Sequence, residues 1–115
     1  MKSFKHAFNG LVKVFNSETN FRIHIIAVII VSTAGCFFTV SSNEWLVIIM
    51  TFIIVTVTEI INTAIEKLCD FVSPQHNEKI KIIKDISAGA VLITAIGAVT
   101  VGVIIFLPKV LNLIV

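Results

Sequence analysis

The sequence predicts an all-α integral membrane protein, with an N-terminal amphipathic surface helix followed by three transmembrane helices in a single domain, residues 1–115. Composition is the first reason. Of the 115 residues 57% are hydrophobic and 14% charged, and the mean hydropathy is +1.01. A soluble domain of this size buries only about two-thirds of the surface its unfolded chain exposes, which would leave too much apolar surface in water. The second reason is the presence of three apolar runs, about residues 23–40, 45–65 and 88–107. Each approaches the ~20 helical residues that a hydrocarbon core of about 30 Å requires.

Charge placement supplies the third reason and an orientation. Lys2, Lys5, Lys13 and Arg22 precede the first run, and Lys67, Lys79, Lys81 and Lys84 lie between the second and third. Ser41-Ser42-Asn43-Glu44, between the first two, carries no Lys or Arg. The positive-inside rule then places the N-terminus and the longer link in the cytoplasm. The net charge is only +2, and the basic residues border oily segments. They suit inner-leaflet phospholipid and argue against nucleic acid as a partner.

Along the chain, Phe4, Phe8, Leu11, Val12 and Phe15 recur at helical spacing and form one apolar stripe. His6, Asn9, Lys13 and Asn16 fall off it. This suits a surface helix, about residues 3–17, lying in the headgroup region, or a helix packed on the protein's own spans. The absence of an uninterrupted apolar core before a cleavage site argues against a signal peptide. Ser41–Glu44 is expected to form a tight turn, with Trp45 as an interfacial anchor. Residues 71–83 are expected to be a loop punctuated by Pro74, and Pro108 to close the third span. Ala90, Thr94, Ala98 and Gly102 recur every four residues there, a small-residue ridge that lets helices approach closely in lipid. Cys36 and Cys69 belong at opposite ends of their spans, too far apart for a disulfide, and read as small buried hydrophobes.

The most informative stretch is Glu59–Asp70, where acidic residues begin while the chain is still oily. A charge inside a span costs about 2.5–3.5 kcal/mol on insertion scales and usually marks function. At 100° per residue from Glu59, Asn62 falls near ~300°, Glu66 near ~340° and Asp70 near ~20°, one stripe of about 80°. Glu59 and Glu66 then stand ~10.5 Å apart along the axis, one near the lipid boundary and the other near the aqueous edge. Glu18 and Lys84-Asp85 reach the same membrane face. Glu18 and Glu66 are suitable ligands for Mg²⁺, a hard cation often shared with substrate phosphates. Lys84 near a helix N-terminus favours phosphate. Glu59, partly desolvated, suits a general base. Together they describe phosphoryl transfer from a Mg-nucleotide to a lipid hydroxyl. Taken singly, Glu66, Asp70, Lys84 and Asp85 also read as ordinary juxtamembrane charges, and Asn62 as a bond to a neighbouring helix. The lack of a Walker-type Gly-rich loop excludes a P-loop kinase.

Glu59-Ile60-Ile61-Asn62-Thr63-Ala64-Ile65-Glu66 followed by Asp70 resembles the signature of the small bacterial membrane-embedded diacylglycerol kinases, whose Gram-positive-type branch phosphorylates undecaprenol. Lys84–Val91, Gly10-Leu11 and Glu18–His24 resemble further motifs of that family, and the likeness covers about residues 3–107. It implies an ATP-dependent lipid kinase that forms homotrimers with active sites shared between subunits. Glu59 would be the catalytic base, with Asn62 orienting base or substrate. Glu18 and Glu66 would hold Mg²⁺, or a similar divalent cation, on ATP as co-substrate, and Lys84 and Asp85 would bind the nucleotide. Asp70 would support the site from its cytoplasmic end. His6 stands where the family usually has Tyr near the nucleotide. Gln75-His76-Asn77 covers a nucleotide-contacting stretch commonly ending in His, so Asn77 departs from the pattern and His76 is its nearest alternative. The competing class is a small proton-coupled multidrug transporter, which also uses a membrane-buried Glu. Three spans rather than four, and an acidic cluster at the membrane edge, count against it. A non-enzymatic assembly subunit would explain the small-residue ridge but not the acidic stripe.

Overall fold

The computed structural model describes residues 2–115 and is helical throughout. Its elements are α1 (Lys2–Ser17), α2 (Thr19–Phe37), α3 (Ser42–Val72) and α4 (Glu78–Ile114). α2, α3 and α4 are long and apolar enough to cross a membrane. α4 has 37 residues, about 55 Å at 1.5 Å per residue, and it sets the long axis of a slab measuring 56 × 38 × 21 Å.

α1 is a helix over the stretch where the spacing implies one. Phe4, Phe8, Leu11, Val12 and Phe15 are exposed, and only Val14 is buried. The α1–α2 corner falls at Glu18, whose extended backbone separates the two helices. Arg22 clamps this corner: its Nη1 donates to Phe15 O (2.9 Å) and Asn16 O (3.0 Å), and its Nη2 to Thr19 Oγ1 (3.1 Å). A cation thus satisfies the free carbonyls at the end of α1.

The turn after α2 lies earlier in the chain than the sequence suggests. Val40 N donates to Gly35 O (3.1 Å) and Thr39 N to Cys36 O (3.3 Å), the Schellman pattern. Thr39 takes the left-handed position at φ 50°, which costs a β-branched residue about 1–2 kcal/mol. Ser41–Glu44 is therefore not a turn but the start of α3. Glu44 N donates to Ser41 Oγ (3.1 Å) and Ser41 N to Glu44 Oε1 (2.9 Å), a reciprocal capping box. Trp45 is half-buried at the start of α3. It packs on Gly35 and joins the cluster around Val40, Ile48 and Ile105.

Two other boundaries move. The link between α3 and α4 is only residues 73–77, because α3 continues to Val72 and Asn77 already caps α4. Asn77 Oδ1 accepts from Lys79 N (2.9 Å) and Ile80 N (3.3 Å). Pro108 does not close the last helix, which runs through it to Ile114. Proline fixes φ near its helical value and removes one hydrogen bond. Beyond it, Lys109 Nζ donates to Ile105 O (3.2 Å) and to Glu44 Oε2 (2.6 Å), tying the extension to the head of α3.

α3 and α4 form the packed pair of the structure. On α4, Ser87 and Ile105 are buried, and Lys84, Val91, Thr94, Ala98 and Val101 are half-buried at alternating spacings of three and four, the seam of a helix pair. The small-residue ridge is only partly inside it, since Ala90 is exposed. Cys69 is buried and Cys36 is exposed, both as free thiols. Ile29, Ile30, Met50, Ile93 and Ile104 point outward, as suits helices solvated by hydrocarbon.

Candidate active site

Three members of the acidic stripe of α3 face a cleft whose other lining comes from the α1–α2 corner, α2 and α4. Glu59, Asn62 and Glu66 line one cleft of about 420 Å³, closed on the other side by Glu18, Asn20 and His24. The corner at Glu18 explains how a residue so distant in sequence arrives there. Glu18 makes no side-chain cap bond, so its carboxylate is not committed to the start of α2.

Within the cleft the polar groups are ordered in a line. Ser87 Oγ donates to Asn62 Oδ1 (2.7 Å), and Asn62 Nδ2 donates to Glu66 Oε1 (2.6 Å). Asn62 thus bonds Glu66, and its own amide is held by a buried serine from α4. Glu59 differs from its neighbours. Its Oε2 is buried and has no hydrogen-bond partner among the described residues. Leaving such an atom unmatched costs about 1–3 kcal/mol, more for a charge.

The remaining sequence candidates lie elsewhere. Asp70 and Lys84 pair with each other across α3 and α4, and this hydrogen bond raises the lysine pKa above its ordinary value. They line a second cleft of about 330 Å³ with His76, Asn77 and Lys81. Asp70 is one helical turn from Glu66, so the two clefts are neighbours along α3. Asn77 is engaged as the α4 cap, and His76 Nε2 is 2.7 Å from Glu78 Oε1. Asp85 points away from α3 and pairs with Lys81 at 2.7 Å. His6, exposed on α1, lines neither cleft.

Two participants were missed in the sequence. Ser87 fixes Asn62, and its signal was a hydroxyl one turn after Lys84 at the entry to an apolar run. His24, half-buried, shares a 2.7 Å hydrogen bond with Thr56 Oγ1 across α2 and α3. Its signal was an ionisable side chain inside the first span.

Among the described residues no group of three His, Cys, Asp or Glu forms a metal cage. Mg²⁺ is usually held by one or two carboxylates together with substrate phosphates rather than by an all-protein cage. Glu18 and Glu66 line one cleft and are the carboxylates that could hold such an ion.

The fold and cleft define an all-helical protein with three helices long and apolar enough to cross a membrane, whose α1-bearing end gathers the carboxylates of Glu18, Glu59 and Glu66. A model of the family described as prokaryotic diacylglycerol kinase matches residues 5–106. The chain belongs to this family of lipid kinases. It is 39% identical over 114 residues to a diacylglycerol kinase of Synechocystis, covering 98% of this chain and 65% of that protein. It is 36% identical over 108 residues to an undecaprenol kinase of Bacillus subtilis, covering 94% and 88% of the two chains. To a diacylglycerol kinase of Escherichia coli it is 29% identical over 99 residues, covering 86% and 81%. The chain thus spans just under two-thirds of the Synechocystis relative. Family membership does not favour the transporter alternative.

Proposed function

We propose that this chain is an ATP-dependent kinase that phosphorylates the hydroxyl of a membrane lipid, diacylglycerol or undecaprenol or both. The observation that carries the proposal is Glu59 Oε2, buried with no hydrogen-bond partner among the described residues, in the cleft that also holds Glu18, Asn62 and Glu66. An unpartnered acceptor at that depth is suited to a lipid hydroxyl. Glu59 takes the hydroxyl proton as the lipid oxygen bonds to the γ-phosphorus of ATP, and the bond from that phosphorus to the bridging oxygen breaks to release ADP. The proton then passes to water.

Mg²⁺ bound with ATP would neutralise charge on the phosphates. Glu18 and Glu66 would hold it, with Glu66 kept in position by Asn62 and Ser87. Lys84, tethered to Asp70 beside this cleft, provides a cation for the nucleotide, and Asp70 braces it. His76 and Asp85 contribute on the aqueous side, and Asn77 through its cap of α4. His6 would reach the nucleotide from α1. The exposed apolar stripe of α1 rests on the cytoplasmic surface of the bacterial inner membrane. The protein works as a homotrimer with shared active sites, which would cover part of the apolar surface of α2–α4.

The test is transfer of labelled γ-phosphate from ATP to diacylglycerol and undecaprenol, each in mixed micelles. Glu59→Gln keeps the shape and removes the base, so transfer should fall by about 10²–10⁴-fold with helicity and assembly size unchanged. A fully active Glu59→Gln protein would overturn this mechanism.

A further inference from the structure

Arg22 stands at the wrong end of its own helix. It lies near the N-terminus of α2, where the helix dipole favours anions over cations. It also follows Glu18 by four residues, the order and spacing at which a carboxylate and a cation on one helix face pair best. Yet among the described residues its guanidinium makes no ion pair with Glu18. Its three bonds run instead to Phe15 O (2.9 Å), Asn16 O (3.0 Å) and Thr19 Oγ1 (3.1 Å). Several charge-assisted hydrogen bonds from one planar fork outweigh a single exposed ion pair.

Glu18 is held by its backbone while its carboxylate is left alone. Glu18 N donates to Val14 O (2.9 Å), and Glu18 O accepts from Arg22 N (3.3 Å). Val14 and Phe21, on either side of the corner, are buried. The carboxylate makes no cap bond with the free amides of α2, and it lines the cleft with Glu59 and Glu66. Neither of the two cationic features nearest in the chain engages it.

Resting on the reading of Glu18 as a metal ligand, we propose that Arg22 is a positioning residue of the site. By committing its guanidinium to the last carbonyls of α1, it fixes the α1–α2 corner and keeps Glu18 free for the divalent cation. It acts through Glu18. Lysine is no substitute, because an ammonium has no planar fork to span two carbonyls and a hydroxyl. Released from the corner, it would pair with the carboxylate four residues before it.

The test is Mn²⁺ affinity, read from the EPR signal of the free ion. The full chain is used in detergent, with an imido analogue of ATP that cannot transfer its γ-phosphate. Mn²⁺ takes the same oxygen ligands as Mg²⁺. Arg22→Lys keeps the charge and removes the fork. It should weaken Mn²⁺ binding by about 10- to 100-fold, the range seen when groups that orient a metal ligand are lost. Thr19→Val removes one of the three contacts and should give a smaller loss in the same direction. In a Glu18→Gln background Arg22→Lys should change the affinity no further. Wild-type affinity in Arg22→Lys, or an undiminished effect in the Glu18→Gln background, overturns the proposal. If circular dichroism shows Arg22→Lys unfolded, wild-type affinity in Thr19→Val overturns it equally. Glu18→Gln alone separates the two readings. Wild-type binding there removes the metal role of Glu18, and this proposal with it; weak binding there beside wild-type binding in Arg22→Lys removes only the role of Arg22.

Discussion

Replacing Asn62 by alanine should disable the site without unfolding it. Asn62 donates to Glu66 at 2.6 Å and accepts from Ser87 at 2.7 Å. The first bond reaches a carboxylate, and such bonds contribute about 1.5–3 kcal/mol. If that restraint is expressed in the transition state, its loss lowers kcat/KM by about 10- to 150-fold. The second is a neutral bond between membrane helices, worth on average about 0.6 kcal/mol, so Ser87→Ala should cost only about threefold. Because Ser87 acts through Asn62, adding Ser87→Ala to Asn62→Ala should have almost no further effect. The assay is ATP-dependent transfer to lipid in mixed micelles at varied Mg²⁺. As Glu66 is the proposed metal ligand, the Mg²⁺ needed for half-maximal rate should rise in Asn62→Ala. Wild-type kcat/KM and wild-type Mg²⁺ dependence in that variant would refute the ordering Ser87–Asn62–Glu66.

Two further predictions concern the opposite end of the bundle. A Cβ at Gly35 would stand 2.5 Å from Trp45 Cη2, so Gly35→Leu must displace the indole. The overpacking cost of about 1–3 kcal/mol outweighs the ~0.8–1 kcal/mol of helix propensity regained; the single tryptophan should report an altered environment together with a lower thermal midpoint. Glu44 lies just outside the apolar run, and its hydrogen bond with Lys109 holds its carboxyl below the ordinary value of 4.5. A carboxyl depressed in the folded state stabilises above its unfolded pKa and loses that contribution as pH falls through the depressed value. The thermal midpoints of wild type and Glu44→Gln should therefore differ at neutral pH and converge in strong acid, and a gap independent of pH would remove the ion pair as its cause.

Much of the candidate site was legible because helical geometry is local. The spacing of Glu59, Asn62 and Glu66 placed them on one face before any packing was known, and all three line one cleft. The limits of such reasoning show at Lys84 and Asp85. Adjacent in sequence, they point about 100° apart around α4, Lys84 toward Asp70 and Asp85 toward Lys81. The Ser41–Glu44 turn was misplaced because a polar run reads equally as a turn or as a helix cap. The Schellman bonds of Gly35–Val40 decide for the cap.

The sequence by itself determined the class of molecule, the number of helices able to span a membrane and the acidic face of α3. Hydropathy and helical period depend only on neighbours along the chain. Only the tertiary structure decided that Glu18 lines the same cleft as this face, that Asn62 donates to Glu66 and that Glu59 Oε2 lacks a partner among the described residues. Those facts depend on how each helix is rotated against the next. In a bundle whose helices are apolar on nearly every side, packing and a few buried hydrogen bonds set that rotation, and the hydropathy pattern does not encode it.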